Sequence, residues 1–152
     1  MPKQVLLDAG PLGMISHPRP NPTIVAWLRR LLAAGVKVVV PEIADYEVRR
    51  ELLRANRQKG VQRLDDLKAV LGYAPITTPI MLKAAEFWAV ARNQGFPTAD
   101  DVALDADVIL AAQAILLEES VDEVVIVTTN VGHLAHFADA RKWDEVAESD
   151  LL

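Results

Sequence analysis

Val5-Leu6-Leu7-Asp8-Ala9-Gly10-Pro11 holds the pattern that decides the fold: three apolar residues without alternation run into an acid and then into turn chemistry. A short run that is apolar at every position reads as a strand buried on both faces. The pattern recurs at Val36 to Val40, halted by Pro41, and at Val124 to Val127, followed by Thr128, Thr129 and Asn130.

Helical stretches separate these strands. Asn21 and Pro22 supply a cap and first turn for a helix carrying Ile24, Val25, Trp27, Leu28, Leu31 and Leu32, closed at Gly35. Pro41 and Glu42 open a second helix that runs through Glu47 towards Gly60, and Val61 to Leu71 reads as a further short one. Ile76 and Thr77 give a weak strand signal, Pro79 starts a helix to about Gln94, and Gly95-Phe96-Pro97-Thr98 reads as a loop. Asp105 or Asp107 caps a long Ala/Leu/Ile helix to about Glu119, and a weaker last strand is expected near Trp143 to Val146. Strands alternating with helices predict an α/β fold of three layers, α/β/α, around a mostly parallel central sheet. A single domain spanning residues 1–152 is expected.

Composition narrows the function. The 152 residues are 51% hydrophobic and 24% charged, enough apolar content for one packed core. The absence of cysteine excludes disulfide frameworks, thiolate metal clusters and cysteine nucleophiles. Met1 to Leu7 lacks the apolar core of a signal peptide, and no run approaches the ~18 apolar residues of a membrane span, so a cytoplasmic protein without a membrane partner is expected. The net charge of -5 is unevenly spread: Arg49 to Leu64 holds six basic residues against one acid, whereas Asp100 to the end holds thirteen acids against Arg141 and Lys142.

In open parallel sheets, ligands bind beyond the carboxyl ends of the strands, and acids gather there. Asp8 ends the first strand, Glu47 follows the second by about two helical turns, Asp105 and Asp107 precede the third, and Asn130 follows it. Singly, each has a structural reading: Asp8 an Asx turn, Asp105 or Asp107 an N-cap, Asn130 a turn residue, Glu47 an exposed helix glutamate. Their joint placement at one sheet edge is different, because carboxylates within ~4 to 6 Å repel one another unless a cation lies among them. Oxygen-only ligands favour a hard ion, Mg²⁺ or Mn²⁺.

Four placed motifs carry a family resemblance over nearly the whole chain: Val5 to Leu12 with Asp8, Val40 to Val48 with Glu47, Asp105 to Ala114 with Asp107 the better match, and Val125 to Leu134 with Asn130. In this order they resemble the PIN-domain ribonucleases, which include the VapC-type toxins. The resemblance implies a PIN-like fold and a Mg²⁺- or Mn²⁺-dependent endoribonuclease, a hydrolase that leaves 5′-phosphate and 3′-hydroxyl ends on RNA. It also implies a toxin–antitoxin pair, with a small antitoxin inserting into the acidic site. Asp8, Glu47 and Asp107 would hold the metal and serve catalysis. Asn130 stands where the family usually has aspartate; an amide keeps an oxygen ligand but removes a charge, which Asp105 could restore if it lay before the first turn of its helix. Inside a helix, Asp105 and Asp107 would point about 200° apart.

Glu47, Arg50, Glu51 and Arg54 share one helix face by i, i+3, i+4, i+7 spacing. Arg50 and Arg54 would there meet the phosphates of RNA, or form an internal salt-bridge ladder. Thr128 and Thr129 would orient a ligand or a water, or satisfy backbone groups at the strand end. A second reading is a PIN-like module that binds RNA or protein without cutting, supported by Asn130.

Other chemistries lack their residues. No serine sits in a Gly-x-Ser-x-Gly turn, and there is neither a Walker A nor a Gly-x-Gly-x-x-Gly sequence. An Asp-x-Asp phosphatase motif fails at Gly10. His133 and His136 are close enough on a helix to share a metal, but Leu134 and Phe137 suggest a packing helix, and His17 carries no signal. Tyr46, Trp27 and Trp88 read as core or interface. Apolar faces at Trp27-Leu28-Leu31 and Phe87-Trp88 could support a homodimer.

Overall fold

A computed structural model describes residues 3–95, 101–121 and 123–152. The chain runs β1 (Gln4–Leu7), α1 (Ala9–Ser16), α2 (Pro22–Ala33), β2 (Val38–Pro41), α3 (Glu42–Arg54), α4 (Gln58–Val70), β3 (Gly72–Ala74), α5 (Thr78–Asn93), α6 (Asp101–Glu118), β4 (Val124–Thr128) and β5 (Ala140–Lys142). The sheet order is β3-β2-β1-β4-β5, and every pairing is parallel. The expected α/β fold with layers on both faces of a parallel sheet is the observed one.

The unbroken apolar strands are buried on both sides because alternate residues feed two cores. Val5 and Leu7 of β1, Val38 and Val40 of β2, and Val125 and Val127 of β4 pack with α1 to α4 and the C-terminal segment. Leu6, Val39, Val124 and Ile126 face the other way, against Leu110, Ala111 and Ala114 of α6. Helix α5 then packs on the far side of α6 through Ile80, Ala84, Leu104 and Val108.

Helix boundaries follow backbone chemistry. Asn21 Oδ1 accepts from the N–H groups of Thr23 and Ile24 at the start of α2. Gly35, at φ 82, closes α2 as Gly35 N–H bonds to Leu32 O at 3.1 Å and Val36 N–H to Leu31 O at 3.0 Å. The helix expected to run on to Gly60 instead ends at Arg54. Asn56 takes the left-handed conformation, φ 55, and the same pair of closing bonds forms, Asn56 N–H to Leu53 O and Arg57 N–H to Leu52 O. Asparagine tolerates that conformation without glycine, which is why the break carried no strong signal. Gly60 lies inside α4, where a Cβ would stand 2.6 Å from a methyl of Leu52, so glycine permits the α3–α4 approach.

Two expected strands move. Ile76 N–H donates to Glu42 Oε1 at 2.8 Å and Thr77 caps α5, so that pair forms a connection, while β3 lies just before it at Gly72–Ala74. The last strand is Ala140–Lys142, because Trp143 packs edge-on against Trp27, whose Nε1–H donates to Val146 O at 2.8 Å. Those contacts hold the segment over α2. They also remove Trp27, Leu28 and Leu31 from any dimer surface: all three are buried in the core. Phe87 stacks on Phe137 with ring centroids 4.7 Å apart, while Trp88 is partly exposed. The loop expected at Gly95–Thr98 lies, from Phe96 onward, outside the described residues. Among the described residues no helix is long and apolar enough to cross a membrane.

Candidate active site

Parallel register brings the acids together. Leu7 pairs with Val127, and Asp8 N–H extends that ladder to Val127 O at 3.0 Å, which sets Asp8 beside Thr128. Asp8 is the N-cap of α1 rather than an Asx turn, its Oδ1 accepting from Ala9 N–H at 2.7 Å. Its Oδ2 accepts from the Thr128 hydroxyl at 2.7 Å.

Thr128 Oγ1 also lies 3.2 Å from Asn130 N and 3.1 Å from Asn130 O. With one proton to give, the hydroxyl donates to the charged and closer Asp8, and accepts from Asn130 N–H. Thr128 is 1% exposed, so it cannot touch a substrate; it positions Asp8. Thr129 is exposed and covers Gly10, where a Cβ would lie 2.6 Å from Thr129 Oγ1.

Asp8, Glu47 and Asp107 are electrostatically coupled. Burial raises the Asp8 carboxyl above its ordinary range despite the bonds from Thr128 and Ala9. Glu47 is pushed up to about 7, first by burial, then by the charge of Asp8, with Asp107 adding and Arg50 opposing. Asp107 is pushed up to about 6 by burial and then by Asp8. The raised values mean that ionising all three is costly as they stand. Among the described residues, no three acidic or histidine side chains converge closely enough to enclose one ion without help.

Asp105 does not join them. Helix α6 begins at Asp101, ahead of both expected caps, so neither Asp105 nor Asp107 is a cap and both lie within the helix. The two therefore diverge by about 200°. Asp105 lines a hollow with Met81 and Trp88 on the α5 side. Asn130 is exposed, and its Oδ1 accepts from Gly132 N–H at 3.1 Å, opening the 3-10 turn Gly132–His136. Its side chain thus takes the turn role, while its backbone supports Thr128.

A groove of about 540 Å³ leads away from Glu47, lined by Gly10, His17, Arg50, Arg54 and Arg57. Arg54 is paired to Glu51 at 2.8 Å, so the ladder reading holds for that pair, although its side chain still lines the groove. Arg50 lies over the Tyr46 ring, 5.1 Å from its centroid. Of the remaining basic residues, Arg49 is bound by Asp45 and Asp65, and Arg63 donates to Ile15 O. His17 and Arg57 were not singled out by sequence. Only the break at Asn56 turns Arg57 onto the groove, and only the packing of α1 brings His17 there.

Solved structures share this architecture. A chain of VapBC2 from Rickettsia felis, bound to a DNA fragment from its promoter, matches with a TM-score of 0.73 at 15% identity, over 92% of this chain and 98% of that one. The chain has a PIN-like fold. A chain of FitAcB from Neisseria gonorrhoeae matches the same PIN-like chain with a TM-score of 0.66 at 21% identity, over 94% of it and 100% of its counterpart. A chain of DNA-bound VapBC from Salmonella typhimurium gives 0.66 at 15% identity, over 93% and 98%. No protein-family model matches the sequence, and no curated protein does. At such identities the likeness establishes the fold of this PIN-like chain; the chemistry must be argued from its own residues.

Proposed function

We propose that this PIN-like protein is a metal-dependent endoribonuclease and the toxin of a toxin–antitoxin pair. The observation that carries the reading is the coupling of Asp8, Glu47 and Asp107 at the carboxyl edge of the sheet, with Glu47 at about 7 and Asp107 at about 6. Among the described residues, Arg50 alone opposes those negative charges at Glu47. Such a donor set fits a hard divalent cation, Mg²⁺ or Mn²⁺, which commonly keeps several waters and takes only one or two carboxylates directly. That preference accords with three acids that do not converge on a single point.

When bound, the ion supplies Lewis acidity at a phosphate and a nucleophile active near neutral pH. The rest falls to the chain. Asp8 is held by the Thr128 hydroxyl and Ala9 N–H, and Glu47 and Asp107 would supply the remaining carboxylate oxygens to the ion. Arg50 and Arg57 would draw the RNA backbone along the groove, since phosphate binding is mainly electrostatic.

The matched chains come from structures of VapBC and FitAcB, which supports a protein antitoxin as partner. An antitoxin that inserts a basic side chain among the three acids would replace the cation and silence the site. A second reading, a PIN-like module that binds RNA or protein without cutting it, is favoured by one observation: Asn130 spends its side-chain oxygen on Gly132 N–H.

Cleavage of mixed RNA with Mn²⁺, Mg²⁺ or EDTA separates the two. The nuclease reading expects cleavage that needs the metal and falls about 10²- to 10³-fold in Asp8→Asn and Asp107→Asn, the loss seen when a transition-state contact is removed. Activity that survives chelation and both substitutions sinks it, and RNA binding without cleavage under any metal supports the second reading.

A further inference from the structure

Tyr46, the neighbour of Glu47 on α3, lines a second hollow, of about 470 Å³, together with Ile43, Tyr73 and Ile76 among others. Its size falls in the ~300 to 1,000 Å³ range of small-molecule sites. The chain has two tyrosines, and both line this one hollow. Neither is core: Tyr46 is 57% exposed and Tyr73 37%. Each ring carries a cation on one face, Arg50 over Tyr46 at 5.1 Å and Lys68 over Tyr73 at 4.4 Å.

The polar groups around the hollow are already spent on one another. Arg49 Nε–H donates to Asp45 Oδ1 at 2.8 Å and its Nη2 to Asp65 Oδ1 at 2.8 Å, while Lys68 Nζ lies 2.9 Å from Asp45 Oδ2. Tyr73 O–H donates to Glu42 Oε2. A phosphate entering here would find its cations neutralised. What remains unspent is flat aromatic and aliphatic surface, which suits an uncharged planar ring. Arg50 is differently placed: it lines the groove that leads from Glu47, opposes the Glu47 charge, and lies over Tyr46, so it links the two hollows.

We propose that the Tyr46–Tyr73 hollow receives an unpaired nucleobase of a single-stranded RNA whose backbone passes over Arg50 into the groove, with the Tyr46 ring, backed by Arg50 on its other face, as the stacking platform. This rests on the reading of RNA as the substrate. Bases splayed from single strands stack on tyrosine rings and guanidinium planes, whereas bases in a duplex are not available to do so. The site is therefore specific for looped or unpaired RNA and sequence-tolerant at that position, because every base has an aromatic face.

Binding of a short single-stranded RNA bearing one 2-aminopurine, read by fluorescence and by titration without cleavage, tests the hollow apart from the chemistry. The wild-type chain quenches the fluorophore. Tyr46→Ala weakens binding about 5- to 150-fold, the range for losing one stacked base, and loses the quench; Tyr46→Phe keeps both. A duplex of the same sequence binds equally to wild type and Tyr46→Ala. Because Tyr46 is exposed, thermal melting of Tyr46→Ala should match wild type, and Tyr46→Phe guards against a folding artefact. Single-strand affinity and quench unchanged in Tyr46→Ala overturn the inference. So does a variant that loses only a copurifying protein partner while its RNA binding stays intact. Tyr46-dependent binding in a wild-type chain that cleaves nothing would instead remove the nuclease and leave the hollow standing.

Discussion

Glu47 is the residue whose environment says most about its work. Burial and the charges of Asp8 and Asp107 lift it from 4.5 to about 7, so the folded state holds the neutral acid more firmly than the unfolded chain does. The sign is the reverse of a salt-bridged carboxylate. Its contribution to stability is full below about 4.5 and is lost as pH rises through 7. Glu47→Gln, which mimics the neutral acid, should leave the metal-free Tm unchanged at pH 4 and raise it at pH 8; a Tm that falls at pH 8 would contradict the repulsion. Thr128 is the complementary case. Thr128→Val keeps the shape but removes the hydroxyl that donates to Asp8 Oδ2, and should weaken Mn²⁺ binding about 10- to 100-fold, the usual effect of removing a group that orients a ligand. Titration calorimetry reads this directly, and an unchanged affinity would show that the α1 cap alone holds Asp8.

Between elements, the site depends on how closely the start of α1 approaches the end of β4. Gly10 stands beneath Thr129, and a Cβ there would meet Oγ1 at 2.6 Å, Cγ2 at 2.8 Å and Cβ at 3.2 Å. A β-branched side chain cannot swing clear of three contacts at once. Gly10→Ala must therefore push α1 from β4, and with it Asp8 from Thr128. The expected outcome is a destabilisation of about 1 to 3 kcal/mol, as for overpacking elsewhere, with a loss of cleavage larger than the melting curve explains. The α3–α4 pair shows the same device away from the acids: Gly60 against Leu52 lets two helices close on one another. The break at Asn56 makes that pair, and turns what would be one long basic helix into a hairpin whose arginines face different ways.

At the scale of the molecule, charge is sorted rather than balanced. Arg49 and Lys68 are consumed by Asp45, whose carboxyl they hold below its ordinary range against the cost of burial, while Arg50 and Arg57 remain on the groove. Among the described residues, Asp8, Glu47 and Asp107 are opposed by Arg50 alone, acting at Glu47. A divalent ion should therefore stabilise the whole fold. At a hundred times its Kd it should add about 2.7 kcal/mol, or roughly 5 to 10 °C in Tm for a chain of this size. The shift should grow with ion concentration, vanish with EDTA and be absent in Asp8→Asn; a flat Tm in the wild type would remove the ion from the site.

Much of this was legible along the chain because its causes are local. Continuous apolar strands, the Asn21-Pro22 start and the Gly35 stop need only neighbours in sequence, and with alternating strands and helices they determined a parallel three-layer fold. Asp8, Glu47 and Asp107 were legible as candidates because a parallel sheet sends all its strand ends to one edge. Other features depend on contacts between distant residues. The start of α6 at Asp101 decided that Asp105 faces α5 instead of Asp107, since two residues on a helix diverge whatever their chemistry. Packing decided that Trp27 is core, that Thr128 serves Asp8, that Asn130 serves Gly132, and that both tyrosines stand exposed around one hollow. Propensity acts over a few residues, whereas burial and hydrogen-bond partners are assigned only when remote elements meet.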